Sequence, residues 1–131
     1  SHRLCITPMT YSRLQSDRKF VETSMPKNSR ELKVNQVTGW SFEITCEFQK
    51  KYTLFLYFDG SRYQVKCVFP EVEGKHYNIH EHHLFGDGRL CLDPSSQGAP
   101  TIEYAYAKSV LWANGFSAFE MTGKFPFSLN H

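Results

Sequence analysis

At 131 residues the chain has the length of one domain with a substantial apolar core, and residues 1–131 are expected to form a single unit. Hydrophobic residues make up 40% and aromatics 15%, which excludes a disordered chain and favours a globular fold containing sheet. The 15 basic and 13 acidic residues are interspersed, so no basic run points to nucleic acid, and no apolar stretch approaches the roughly 20 residues of a membrane span.

The polar start Ser1-His2-Arg3 has no signal-peptide core behind it, so a cytoplasmic location is expected. Without a signal, and with ample apolar residues for a core, the four cysteines Cys5, Cys46, Cys67 and Cys91 read as free thiols rather than as disulfides.

The first element is a short helix from about Thr10 to Thr23. Tyr11, Leu14, Arg18 and Val21 recur at helical spacing, Arg13, Asp17, Arg18 and Lys19 are expected to face water, and Pro26 closes the element. A polar connection, Lys27 to Arg30, precedes a change of period from helix to strand. From Trp40 to Phe48 the residues Trp40, Phe42, Ile44, Cys46 and Phe48 alternate with Ser41, Glu43, Thr45 and Glu47, the pattern of a half-buried antiparallel strand. The run Tyr52 to Phe58 is apolar on both faces, as in a central strand. Asp59-Gly60 turns the chain into a third strand, Arg62 to Phe69, where Tyr63, Val65, Cys67 and Phe69 share a face and Pro70 ends the run.

From Glu71 to Gly88 the chain is weakly periodic and rich in His and Gly, which predicts a loop. A turn-rich stretch from Asp93 to Pro100 follows Cys91. Thr101 is then a good N-cap, and a helix is expected to about Met121, with Ile102, Ala105, Ser109, Trp112, Phe116 and Phe119 on one stripe and Gly123 as its stop. Helix, antiparallel meander, irregular loop and helix make an α+β architecture.

The strand phases sort the thiols. Cys46 and Cys67 are in register with apolar residues and are expected to be small core hydrophobes, while Cys5, near a terminus, has no neighbour that would lower its pKa. Cys91 stands between Leu90 and Leu92, out of phase with both, so its sulfur is expected to point away from the core and be accessible. Arg89, His82 and His83 could favour its thiolate.

His76, His80, His82 and His83 cluster just before Cys91. One reading makes His82 or His83 a base for a cysteine nucleophile. Another makes a zinc-binding or zinc-hydrolytic site from His80 and His82, on one face of an extended stretch, with Cys91 and a further ligand, although no Cys-x-x-Cys pair supports it.

The run His80 to Asp93, with Glu81-His82-His83 followed by Gly88-Arg89-Leu90-Cys91-Leu92-Asp93, resembles the active-site segment of the ubiquitin-conjugating enzymes, where a His-Pro-Asn tripeptide precedes Gly-x-(Leu/Ile)-Cys-Leu-Asp. The resemblance spans nearly the whole chain. It implies a UBC-like fold: N-terminal helix, four-stranded antiparallel meander, active-site flap and C-terminal helix. By position Cys91 matches the thioester cysteine, His83 the tripeptide's asparagine and Asp93 an acidic residue beyond the cysteine. The histidines in the tripeptide, the single helix after the flap and the lack of tryptophan between Asp93 and Pro100 are most similar to the bacterial members found in antiphage defence operons.

On that resemblance the chain carries a ubiquitin-like modifier, or a nucleotide cyclase C-terminus, as a thioester on Cys91 and passes it to a target amine. The partners implied are that modifier, an activating enzyme and a target protein; no cofactor is implied. His83 would donate to the oxyanion, with His82 as its neighbour, and Asp93 would orient the incoming ammonium. An inactive binding module of the same fold is the remaining alternative.

Overall fold

The computed structural model describes residues 9–126, apart from the side chain of Phe48. The chain forms helix α1 (Tyr11–Ser24), strands β1 (Arg30–Val34), β2 (Val37–Thr45), β3 (Lys51–Phe58) and β4 (Tyr63–Phe69), a long irregular segment, and helix α2 (Ile102–Thr122). The strands form one antiparallel sheet in the order β1-β2-β3-β4, so each pairs with its neighbour in the chain. The expected α+β layout, with a helix on either side of a four-stranded meander in sequence, is present. No helix among the described residues is long and apolar enough to cross a membrane.

The core lies between the sheet and α2. Trp40 and Phe42 of β2 stand opposite Leu56 and Leu54 of β3, which stand opposite Val65 and Cys67 of β4, all on one face. Against that face α2 lays Ile102, Ala105, Trp112 and Phe116, all buried, with Tyr52 meeting Trp112 and Phe116 edge-on at 5.8 and 6.0 Å. Each large apolar side chain buried in this way contributes about 1.5–3 kcal/mol. The helix is capped as its sequence suggests, Thr101 accepting from the Tyr104 N–H and Gly123 closing the end in the left-handed region.

Three expectations need correction. Tyr11 is 77% exposed, and the buried stripe of α1 instead includes Asp17, only 5% exposed, although it was expected to face water. Its carboxylate accepts from the Tyr63 hydroxyl, which in turn accepts from Arg13 at 3.0 Å, so a polar clasp holds α1 to β4. Phe69, expected to share the inner face with Cys67, is 62% exposed. Leu54 pairs with Cys67 but Thr53 pairs with Phe69, so a bulge inserts one residue and moves Phe69 to the other face. The second strand runs Val37–Thr45 rather than Trp40–Phe48, giving way to a 3₁₀ turn at Glu47–Gln49, which leaves Cys46 buried just beyond it.

The periodic reading also missed β1, which only the family resemblance implied. Its five residues are all exposed, and the turn that pairs it with β2 is Asn35-Gln36, both at positive φ (51° and 68°). Asn is a usual residue in such a turn, and Gln is not.

Candidate functional site

The loop before Cys91 is organised by Asn78. Its side-chain oxygen accepts from the N–H groups of His80 (3.0 Å) and Glu81 (2.8 Å), and its carbonyl accepts from those of His82 (3.0 Å) and Leu84 (3.3 Å). Its own N–H donates to Nδ1 of His82 at 3.0 Å, while Trp112 Nε1 donates to the His82 carbonyl, also at 3.0 Å. Tyr77 and Phe119 pack edge-on against the His82 ring. His82, a candidate base, is therefore a buried anchor: one ring nitrogen is occupied and the residue ties the loop to α2.

His83 follows at φ +56° and is 7% exposed. Its carbonyl accepts from the Cys91 N–H at 2.8 Å, and the next pair, Leu84 and Leu90, forms a bridge, so His83 and Cys91 face each other across a short antiparallel ladder. Nδ1 of His83 is buried without a hydrogen-bond partner, and Phe125 lies edge-on to the ring at 4.8 Å. Burial, reinforced by neighbouring His82, holds its pKa below the ordinary histidine value, so the imidazole is neutral at neutral pH.

Around Cys91, Leu90 and Leu92 join the core cluster as expected, but Cys91 is buried beside them. The expected accessibility does not hold. Cys91 is 2% exposed because the turn that follows folds over it, placing the Asp93 carbonyl and the Ser96 hydroxyl each 3.8 Å from Sγ. Asp93 fastens that turn: its carbonyl accepts from the Ser96 N–H at 2.8 Å, and its carboxylate accepts from the N–H and hydroxyl of Ser95. The bonds from Ser95 hold the Asp93 carboxyl below the usual range, making it a weak base but a competent partner for an ammonium.

Arg89 was expected to support a thiolate, but it is committed elsewhere, 2.7 Å from the Asp87 carboxylate, donating to Gln64 at 3.4 Å and lying over the Phe85 ring. Cys46 and Cys67 are buried as expected; burial raises both thiols, that of Cys67 to about 12. Cys5 lies outside the described residues.

Gln64, which the sequence reading passed over, holds both limbs of the Cys91 segment. Its amide nitrogen donates to Asp59 (2.9 Å) and to the Gln97 carbonyl (3.0 Å), while its oxygen accepts from Arg89. Backbone bonds from Leu90 to Val65 and between Ala99 and Tyr63 complete the attachment to the free edge of β4. Gly98 fits there because a Cβ would meet the Tyr63 carbonyl at 2.8 Å and Gln64 Nε2 at 2.5 Å. A polar residue between Tyr63 and Val65, in a strand otherwise interrupted only by Lys66, was the available signal.

The histidines do not assemble as the zinc reading requires. His80 is exposed and His82 buried, so the two do not share a face, and no group of three or more His, Cys, Asp or Glu is gathered for a metal among the described residues.

Compared with known protein families, curated proteins and solved structures, the chain matches none.

Proposed function

We propose that the protein is a UBC-like transferase, of the kind found in bacterial antiphage defence. It carries the C-terminal acyl group of a ubiquitin-like modifier, or of a nucleotide cyclase, as a thioester on Cys91 and passes it to a target amine. The observation that carries this reading is the backbone pairing of Cys91 with His83 across the ladder, which sets a buried imidazole with an unpartnered Nδ1 opposite a buried thiol covered by the turn from Asp93 to Ser96.

In the loading step the Cys91 thiolate attacks the carbonyl carbon of a thioester on the activating enzyme; a new C–S bond forms and the donor thiolate leaves. In the transfer step a lysine amine attacks that carbon, the amide forms, the amine loses a proton and Cys91 departs as the thiolate. Negative charge on the carbonyl oxygen needs a donor, and a well-placed one is worth about 10²–10³ in rate. His83 supplies that donor. Asp93 orients the ammonium, and the turn from Asp93 to Ser96 has to swing aside for the acyl group to reach sulfur.

The burial of Cys91 favours one competing reading, a binding module of the same fold that never loads. Incubation with a candidate modifier and its activating enzyme, followed by a non-reducing gel and intact mass, separates the two. The transferase gives an adduct that thiol reagents release and that Cys91→Ala abolishes, whereas Cys46→Ala and Cys67→Ala still load and lose stability instead. An adduct that survives Cys91→Ala, or no adduct at all, would sink the transferase.

A further inference from the structure

Beyond α2 the chain doubles back. Gly123 closes the helix with its N–H on the Phe119 carbonyl (2.7 Å), and the Thr122 hydroxyl accepts from the Lys124 N–H at 3.2 Å while bonding the Ala118 carbonyl at 2.9 Å. This fixed turn returns Phe125 onto the helix at Gly115. A glycine in a helix interior is a poor helix former, so its presence needs a reason. At Gly115 the reason is close approach: a Cβ would stand 2.2 Å from Cε1 and 2.5 Å from Cζ of Phe125. The same ring meets His83 edge-on at 4.8 Å, and Nδ1 of His83 is buried without a partner. A cavity of about 480 Å³ lies beside them, bounded by His80, Glu81, Phe119 and Lys124.

We infer that Phe125, seated on Gly115, is a positioning residue that holds the His83 imidazole in place and shields it from water. The inference rests on the transferase reading for its role in the reaction, but not for its geometry. An imidazole at a left-handed backbone position that rests against the Phe125 ring would tilt or hydrate without it, and a displaced donor loses its aim at the oxyanion. The titratable groups around His83 are His80, Glu81 and His82 on its own loop, Lys124 on the returning tail, and Cys91 across the ladder. None of these is altered by a change at Phe125 or Gly115.

The test is a titration of His83 by imidazole NMR in the native chain, Phe125→Ala, Gly115→Ala, the double variant and Phe125→Leu, beside single-turnover discharge of loaded protein to lysine. Gly115→Ala introduces the better helix former, so folding is retained while the ring is unseated. Each alanine variant is expected to raise the His83 midpoint toward the ordinary histidine value of about 6.5 and to slow discharge on the order of 10²-fold with loading intact. Gly115→Ala should add nothing once Phe125 is Ala, and Phe125→Leu, still an apolar cover, should stay close to native. An unmoved midpoint in Phe125→Ala, or independent shifts that add in the double variant, overturns the inference. A chain that never forms a thioester defeats the transferase instead, and the titration still decides whether Phe125 governs His83.

Discussion

His83 occupies a backbone position that few side chains adopt, and that fact shapes how it can be tested. At φ +56° an Ala would be strained by roughly 1–2 kcal/mol, whereas Asn tolerates the left-handed region and keeps a donor. We therefore expect His83→Ala to form the thioester and discharge it about 10²–10³ more slowly. His83→Asn should discharge near the native rate and lose the pH dependence that an imidazole brings. Fold stability also depends on pH through this group: with its folded pKa depressed by burial, His83 resists protonation in the native state more than in the unfolded chain. As pH falls below the ordinary histidine value of about 6.5, the unfolded chain takes up the proton first and stability declines. Urea unfolding at pH 5 and pH 7 should show a larger loss in the native protein than in His83→Asn.

The elements that present the site are joined by two polar connections, each with its own signature. Gln64→Leu removes the donor to Asp59 and to the Gln97 carbonyl and the acceptor for Arg89 in one change. Leaving such groups unmatched costs about 1–3 kcal/mol each where they remain buried, so faster amide exchange at Leu90 and Ala99, the residues bonded to β4, is the expected readout. A native exchange pattern in Gln64→Leu would reduce the residue to filler. The clasp on α1 behaves in the opposite sense to His83. Burial raises the Asp17 pKa despite the bonds from Tyr63 and the charge of Arg13. A raised carboxyl contributes stability that is fully present below its unfolded value and is lost as pH rises through the folded one. Asp17→Asn still accepts from Tyr63 and carries no charge, so its stability relative to native should climb between pH 3 and pH 7, measured by denaturant midpoints at each pH.

At the scale of the whole molecule, the proposed transferase needs a docking surface for the partner that would deliver the acyl group, and the basic residues of α1 are one candidate. The structure narrows that idea. Arg18 is held by both oxygens of Glu31 on β1 at 2.7 Å, and Arg13 lies 4.5 Å over the Phe58 ring while bonding Tyr63. Reversing either charge would disturb packing as well as docking. Lys19→Glu is the cleaner change, and if α1 meets an activating enzyme it should slow loading, with a stronger effect at low salt. Loading kinetics that ignore both the substitution and the salt would remove α1 from the interface.

Much of this architecture is local in origin and could be read directly. Period 2 in Trp40, Phe42 and Ile44, period 3.6 in Ile102, Ala105, Ser109, Trp112 and Phe116, and the caps Thr101 and Gly123 depend on neighbours in the chain, so the sequence alone determined three strands, α2 and the burial of Cys46 and Cys67. What the tertiary structure decided are contacts whose partners lie far along the chain or whose geometry no period encodes. Asp17 is buried because Tyr63, 46 residues away, offers it a hydroxyl, and Phe69 faces outward because a bulge shifts its register. Gln64 joins segments on both sides of Cys91, and Gly115 makes room for a ring ten residues later. The inward packing of Leu90 and Leu92 was legible, but the covering of Cys91 was not. Alternation fixes the face from which a side chain projects, and only the three-dimensional path of the following turn determines what covers it there.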